Sequence, residues 1–253
     1  MGDMADYAPV EAQLRGAADR AIELACVRPG EGVLDVCCGT GNAAAAAQAA
    51  GAFVTGIDLD ESMIKVARKH VPTGTFEVAD AMRLPFADDS FDVALSIFGV
   101  SLLPGEPAAR ELVRVVRDGG RIVITSWLQD GSILSAGSIL RRAMSKAQGR
   151  PAVVHDPTAW HNRSTVRDLF APHRVEFSDD QINYRAASAR AVAAQYYDHH
   201  PQWLRAREVV GEPVYAQLRE QATHFFDEVN KHPTEWHATD CYLTAVATLG
   251  NGR

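Results

Sequence analysis

Val33-Leu34-Asp35-Val36-Cys37-Cys38-Gly39-Thr40-Gly41-Asn42 joins a short β-rich run to a glycine turn, and the turn opens into a helix former. Residues 42–50 are almost all alanine, and Gly51 follows as a helix stop. Moving outward, the first half repeats this alternation. Residues 53–58 read as a second strand, after which Asp60 caps a helix carrying Met63, Ile64, Val66 and Ala67 on its apolar side. Residues 75–79, 91–98 and 121–127 supply three more strands, the run 91–98 being largely apolar after Asp92, as suits a strand buried on both faces. Residues 111–117 lie in a helix ended by Asp118-Gly119-Gly120. Strands alternating with helices predict crossover units on a parallel sheet, an α/β class.

After Trp127 the pattern loosens. Residues 133–147 are helical and 149–157 form a loop, while Thr165 with Asp168 forms a capping box for a short helix through Phe170. Residues 174–184 and 241–249 read as strands, with helices over 189–204 and 214–229 between them. The rare residues divide the chain in the same way: eight of nine histidines follow residue 150, and all four tryptophans follow residue 126. We therefore expect one domain over 1–253, with 1–127 as the cofactor half and 128–253 as a helical cap plus the last strands; no Pro- or Ser-rich linker separates them.

Composition excludes several classes. Of 253 residues, 47% are hydrophobic and 23% charged, which is ordinary globular usage. Twenty-five Lys and Arg against 32 Asp and Glu leave a net charge of −7, with no basic stripe, so nucleic acid is not an expected partner. The acidic start MGDMADYAPV is unlike an export signal, and no run approaches ~18 apolar residues, so we expect a cytoplasmic protein without a membrane partner. Cys26, Cys37, Cys38 and Cys241 contain no Cys-x-x-Cys and fit reduced thiols.

The glycine turn carries the chemistry. Gly39 and Gly41 lack the Cβ that would hold a ligand away from the backbone, and Asp58 closes the second strand, where a carboxylate can accept from two ribose hydroxyls. Gly39-Thr40-Gly41-Asn42-Ala43-Ala44 also fits the dinucleotide pattern G-x-G-x-x-G/A, so the motif alone leaves an NAD(P)-dependent oxidoreductase open. Two further acids favour a nucleoside without phosphates. Asp35 points from the first strand towards the turn and suits an ammonium group, and Asp80 ends the third strand, where it can accept from an adenine amino group.

These residues resemble class I S-adenosylmethionine-dependent methyltransferases. Residues 33–42 resemble that family's D-x-x-x-G-x-G motif, and Val54-Thr55-Gly56-Ile57-Asp58-Leu59-Asp60 its ribose strand. The run from Asp80 to Asp92 is similar to A-D-A-x-x-L-P-F-x-D-x-S-F-D of the subgroup containing quinone C-methyltransferases, and residues 112–121 to its L-x-R-V-L-K-P-G-G. The resemblance covers residues 30–127. It implies a Rossmann-like seven-stranded sheet of order 3-2-1-4-5-7-6 with strand 7 antiparallel, and S-adenosylmethionine as cofactor. It further implies that Asp35, Gly39, Thr40 and Gly41 lie at the methionine part and that Asp58 holds the ribose. Leu59 and Met63 would flank the adenine, Asp80 and Ala81 read its edge, and Phe98 face the cofactor. Two departures narrow the acceptor: Gly99-Val100-Ser101-Leu102 stands where quinone enzymes carry G-L-R-N, and neither Asn/Asp-Pro-Pro-Tyr nor a Pro-Cys nucleophile follows the fourth strand.

Methyl transfer from a sulfonium is an in-line displacement that depends mainly on positioning and exclusion of water. The acceptor expected is a small molecule. His155 and His161, flanking Trp160, are candidate general bases. His199-His200 and His232 with His237 lack a third ligand at helical spacing, so no metal site is expected. Tyr196, Tyr197, Trp203, Phe225 and Phe226 either line an acceptor pocket or pack the cap core, and Tyr7 could belong to an N-terminal lid. A protein that keeps this fold without methylating is a further reading.

Overall fold

A computed structural model describes residues 8–128, 131–149 and 158–250. The chain divides into two compact units. Of the described residues, one comprises 14–127, 158–180 and 242–250, and the other 8–13, 128, 131–149 and 181–241.

The first unit is built on parallel strands β1 (Gly32–Val36), β2 (Phe53–Asp58), β3 (Thr75–Val78), β4 (Phe91–Ile97) and β5 (Val116–Trp127). With β6 (Arg174–Ala186) and β7 (Trp236–Thr248) they form one seven-stranded sheet of order 3-2-1-4-5-7-6, and β7 runs antiparallel to β5. The expected order and the antiparallel strand are both present.

Alternation along the strands feeds two cores. Val33, Val54, Val93, Leu95 and Val123 face helices α1 (Ala8–Ala25), α2 (Asn42–Ala49) and α3 (Glu61–His70). Leu34, Val36, Ala94, Ile122 and Ile124 face the opposite way, where α4 (Gly105–Val115) and α7 (Arg163–Leu169) supply Leu112, Val115 and Val166, and Trp160 of α6 (Thr158–His161) joins them. Alanines on α1 and α2 let those helices lie close to the sheet.

Local chemistry sets the boundaries. Asp60 caps α3 by accepting from the Ser62 amide, as expected, whereas Gly41 at the start of α2 has no side chain to offer. The capping box placed at Thr165 is corrected: Asn162 accepts from the amides of Ser164 and Thr165 at 3.0 and 3.2 Å, so α7 starts earlier. The expected helix end at Asp118-Gly119-Gly120 is also corrected. α4 stops at Val115, and the two glycines form a bulge within β5, with Gly119 at φ +74 and the pairing jumping from Phe91–Val116 to Val93–Arg121.

The second unit contains α5 (Ser132–Ala147), α8 (Ala189–His199), α9 (Pro201–Val210) and α10 (Glu212–Glu228). The single helix expected over 189–204 is two helices, because Pro201 keeps His200 out of the helical region at ψ 125. Tyr196, Tyr197, Trp203 and Phe226 are buried in this unit, whereas Phe225 is half-buried. Tyr196 stacks on Phe226 at 5.8 Å, Tyr197 meets Trp203 edge-on, and Tyr215 Oη donates to the Tyr197 carbonyl at 2.6 Å.

Candidate cofactor and active site

The strand order reverses between β1 and β4, which opens a crevice at their carboxyl ends. Both chains leave the sheet there in strained conformations, Cys37 at φ +58 and Phe98 at φ +58. They pass so closely that a Cβ on Gly99 would lie 2.4 Å from Cys37 Cβ. Two buried hydroxyls hold the exits. Ser96 Oγ donates to the Val36 carbonyl at 2.7 Å and accepts from the Val100 amide at 3.0 Å, while Thr125 Oγ1 accepts from the Phe98 amide at 2.8 Å. The ends of β1, β4 and β5 are thereby fixed together. Phe98 then lies flat on Trp127, with ring centres 3.9 Å apart, and edge-on to Tyr242.

The two motif glycines serve different purposes. Gly39, at φ +53, has nothing within 4 Å of where a Cβ would stand, so its backbone is open to a ligand. Gly41, at φ +90, would place a Cβ 3.3 Å from Ala67 Cβ on α3, and its missing side chain serves helix packing. Thr40 is buried, with its carbonyl 3.2 Å from His70 Nδ1.

The carboxylates surround this turn. Asp35 is fully buried and accepts from the Ala44 amide at 2.9 Å, supplying α2 with the cap that Gly41 cannot. Burial raises its pKa to about 7, partly offset by the Ala44 bond and reinforced by the charge of Asp58. Asp58 accepts from the Gly39 amide at 3.0 Å and the Asp60 amide at 2.9 Å, and burial raises its pKa as well. Asp80 accepts from the Met82 amide at 2.8 Å. Burial, and then the charges of Asp58, Asp35 and Asp80, push the pKa of the Cys37 thiol up to about 12. Around the acids lie apolar side chains left open to solvent, Leu59, Val78 and Met82, with Leu59 65% exposed.

Residues 33–120 match the family model described as a methyltransferase domain. Residues 33–120 of this chain carry a methyltransferase domain. A demethylmenaquinone methyltransferase from Streptomyces griseus is 39% identical over 103 residues, 40% of this chain and 45% of that protein. An uncharacterised protein from Mycobacterium tuberculosis is 32% identical over 179 residues, 68% of this chain and 64% of that protein. The chain thus spans less than two thirds of the length of these curated relatives. The crystal structure of the YcgJ protein from Bacillus subtilis shares the fold, with a TM-score of 0.63 at 18% identity over 94% of this chain and 99% of that one.

The residues of the methyltransferase domain fit S-adenosylmethionine better than a dinucleotide. Buried carboxylates beside an open glycine backbone suit a cationic amino acid end and a ribose, whereas a pyrophosphate would meet repulsion from Asp35 and Asp58. The structure brings together Asp35, Gly39, Thr40, Asp58 and Asp80, and the exposed Leu59 lies next to Asp58. Met63, on the first turns of α3, is half-buried. The Ala81 side chain is in the core.

The candidate bases fare differently. His155 lies outside the described residues. His161 ends α6, whose Trp160 is a fully buried pillar donating from Nε1 to the Leu103 carbonyl at 3.0 Å, and His161 Nδ1 is buried with no partner among the described residues. Tyr7 also lies outside the described residues.

Cys37, Ser96, Thr125, Val78 and Met82 escaped the sequence reading. Ser96 and Thr125 had one available signal, a lone hydroxyl in an otherwise apolar strand. All four cysteines are free. No helix among the described residues is long and apolar enough to cross a membrane.

Proposed function

We propose that this chain transfers a methyl group from S-adenosylmethionine to a small-molecule acceptor bearing a nucleophilic O, N, C or S. The observation that carries this reading is the open backbone of Gly39 flanked by two carboxylates, Asp58 accepting from the Gly39 amide at 3.0 Å and the buried Asp35 accepting from the Ala44 amide at 2.9 Å. In this reading Asp35 attracts the ammonium end and Asp58 accepts from the ribose hydroxyls while still bracing the Gly39 amide. Asp80 and the Ala81 main chain read the adenine edge, and Leu59 and Met63 cover its faces.

S-adenosylmethionine, when bound, supplies an electrophilic methyl group on a sulfonium. The protein's part is to hold that group in line with the acceptor, about 3–3.5 Å away, and to keep water out. Phe98, stacked on Trp127 and fixed through Thr125, presents an apolar wall at the crevice where that alignment is set. Where the acceptor is a phenol or an amine, His161 is the described candidate to accept its proton, its Nδ1 being without a partner among the described residues.

Incubation with methyl-labelled donor and a panel of quinols, phenols, thiols and amines tests the proposal. Label transfer to at least one acceptor, lost in Asp58→Ala, is expected. Tight donor binding without transfer to any acceptor would favour a non-methylating member of the fold.

A further inference from the structure

The loop between α10 and β7 holds a cluster separate from the cofactor site. His232, Glu235 and His237 each offer a donor atom, and these atoms lie within 4.8 Å of one another. A scan for helical pairs misses the third donor, because Glu235 lies between the two histidines on a loop leading into a strand. Glu235, the last loop residue, and His237, the second residue of β7, lie on the same side, with Oε2 and Nε2 3.0 Å apart.

The loop is built rather than loose. One side chain, Asn230, ties it at four points: Nδ2 donates to the carbonyls of His232 and Glu235, and Oδ1 accepts from the amides of His232 and His237, all at 3.1 Å. Between the last two donors Trp236 is fully buried, its Nε1 donating to the Phe226 carbonyl at 2.6 Å. The imidazoles stack with centres 4.2 Å apart. His232 Nδ1 accepts long contacts from the amides of Thr234 and Glu235, at 3.4 and 3.2 Å, and lies 3.4 Å from Thr234 Oγ1.

We propose that His232, Glu235 and His237 bind a divalent transition-metal ion of the zinc class. Two imidazoles and a carboxylate are borderline donors that suit zinc better than calcium or magnesium, which take oxygen ligands. Bonds of about 2.0–2.2 Å in tetrahedral geometry place donors roughly 3.3 Å apart, so side-chain rotation of about an ångström completes the set. An ion held by His232 Nδ1 would replace the three long contacts there. Glu235 is exposed, which leaves the remaining position to water, and the bound ion would pin the end of α10 to the start of β7.

Zinc(II) titration of the full chain after chelator dialysis, followed calorimetrically and by the visible absorption of cobalt(II), tests this. We expect a single equivalent to bind. His237→Ala and Glu235→Gln should each lower affinity by at least about 100-fold, since even outer-shell losses cost 10–100-fold. His224→Ala, an exposed helical histidine paired with Glu228, should change nothing. Circular dichroism checks that the variants are folded, and Glu235→Gln alters only an exposed side chain. Absence of binding by the wild type at millimolar zinc overturns the proposal. So does affinity equal to wild type in both His237→Ala and Glu235→Gln, which would assign the signal to the exposed thiols of Cys26 and Cys241.

Discussion

Replacing Asp35 by asparagine should make the ligand-free protein more stable at alkaline pH while weakening its cofactor site. Asp35 is buried, and its pKa stands at about 7 against an ordinary 3.8. Between those values the folded protein holds a proton that the unfolded chain has released, so ligand-free stability falls as pH rises from about 4 to about 7. A shift of about three units corresponds to roughly 4 kcal/mol over the whole window, and about 3 kcal/mol of it falls between pH 5 and pH 8. Asparagine retains an acceptor for the Ala44 amide but does not titrate. Urea unfolding of both proteins without ligand at pH 5, 6, 7 and 8 should therefore show the difference, variant minus wild type, growing by about 3 kcal/mol. A difference independent of pH would refute the reasoning, because Asp35 would then ionise freely in the folded state. The same charge that destabilises the empty site is the one available to a cationic ligand, so the stabilised variant should bind S-adenosylhomocysteine more weakly.

The two glycines should separate binding from folding. Gly39→Ala should fold, with only the cost of its positive φ, about 1 kcal/mol, and lose cofactor affinity, whereas Gly41→Ala should be destabilised by about 1–3 kcal/mol through its contact with Ala67; thermal unfolding and binding titration of both decide it. Ser96→Ala removes the buried brace between β1 and β4, and urea unfolding should show a loss of about 2 kcal/mol; a loss below about 0.5 kcal/mol would show that the exits do not depend on it. Asp58→Asn should lower S-adenosylhomocysteine affinity by at least about 10-fold, the worth of a hydrogen bond to a charged group, as measured by calorimetry.

The first half of the chain was legible because its signals are local. A glycine turn between a strand and an alanine-rich helix, followed by acids at three strand ends, is read from spacing alone, and the parallel sheet places those ends together. What remained hidden depends on contacts distant in sequence. That Gly41 serves α3 packing while Gly39 faces open space follows only once Ala67 is placed. Asp35 capping α2 is an interaction across the glycine turn, and the braces from Ser96 and Thr125 join strands that are not consecutive. In the second half, Pro201 did carry a legible break signal, yet the apolar periodicity runs through it. The cap aromatics have the same composition whether they line a pocket or fill a core, and burial decides for the core at Tyr196, Tyr197, Trp203 and Phe226. Glu235 was invisible as a ligand because a loop, unlike a helix, has no fixed spacing.

Ligand-induced thermal stabilisation tests the central claim most directly. At about 100 times its dissociation constant a single-site ligand stabilises by roughly 2.7 kcal/mol. S-adenosylmethionine and S-adenosylhomocysteine should each give such a shift, reduced in Asp58→Ala, while NAD and NADP give none. A shift with NAD or NADP and none with the S-adenosyl compounds would contradict the assignment of the glycine turn to S-adenosylmethionine.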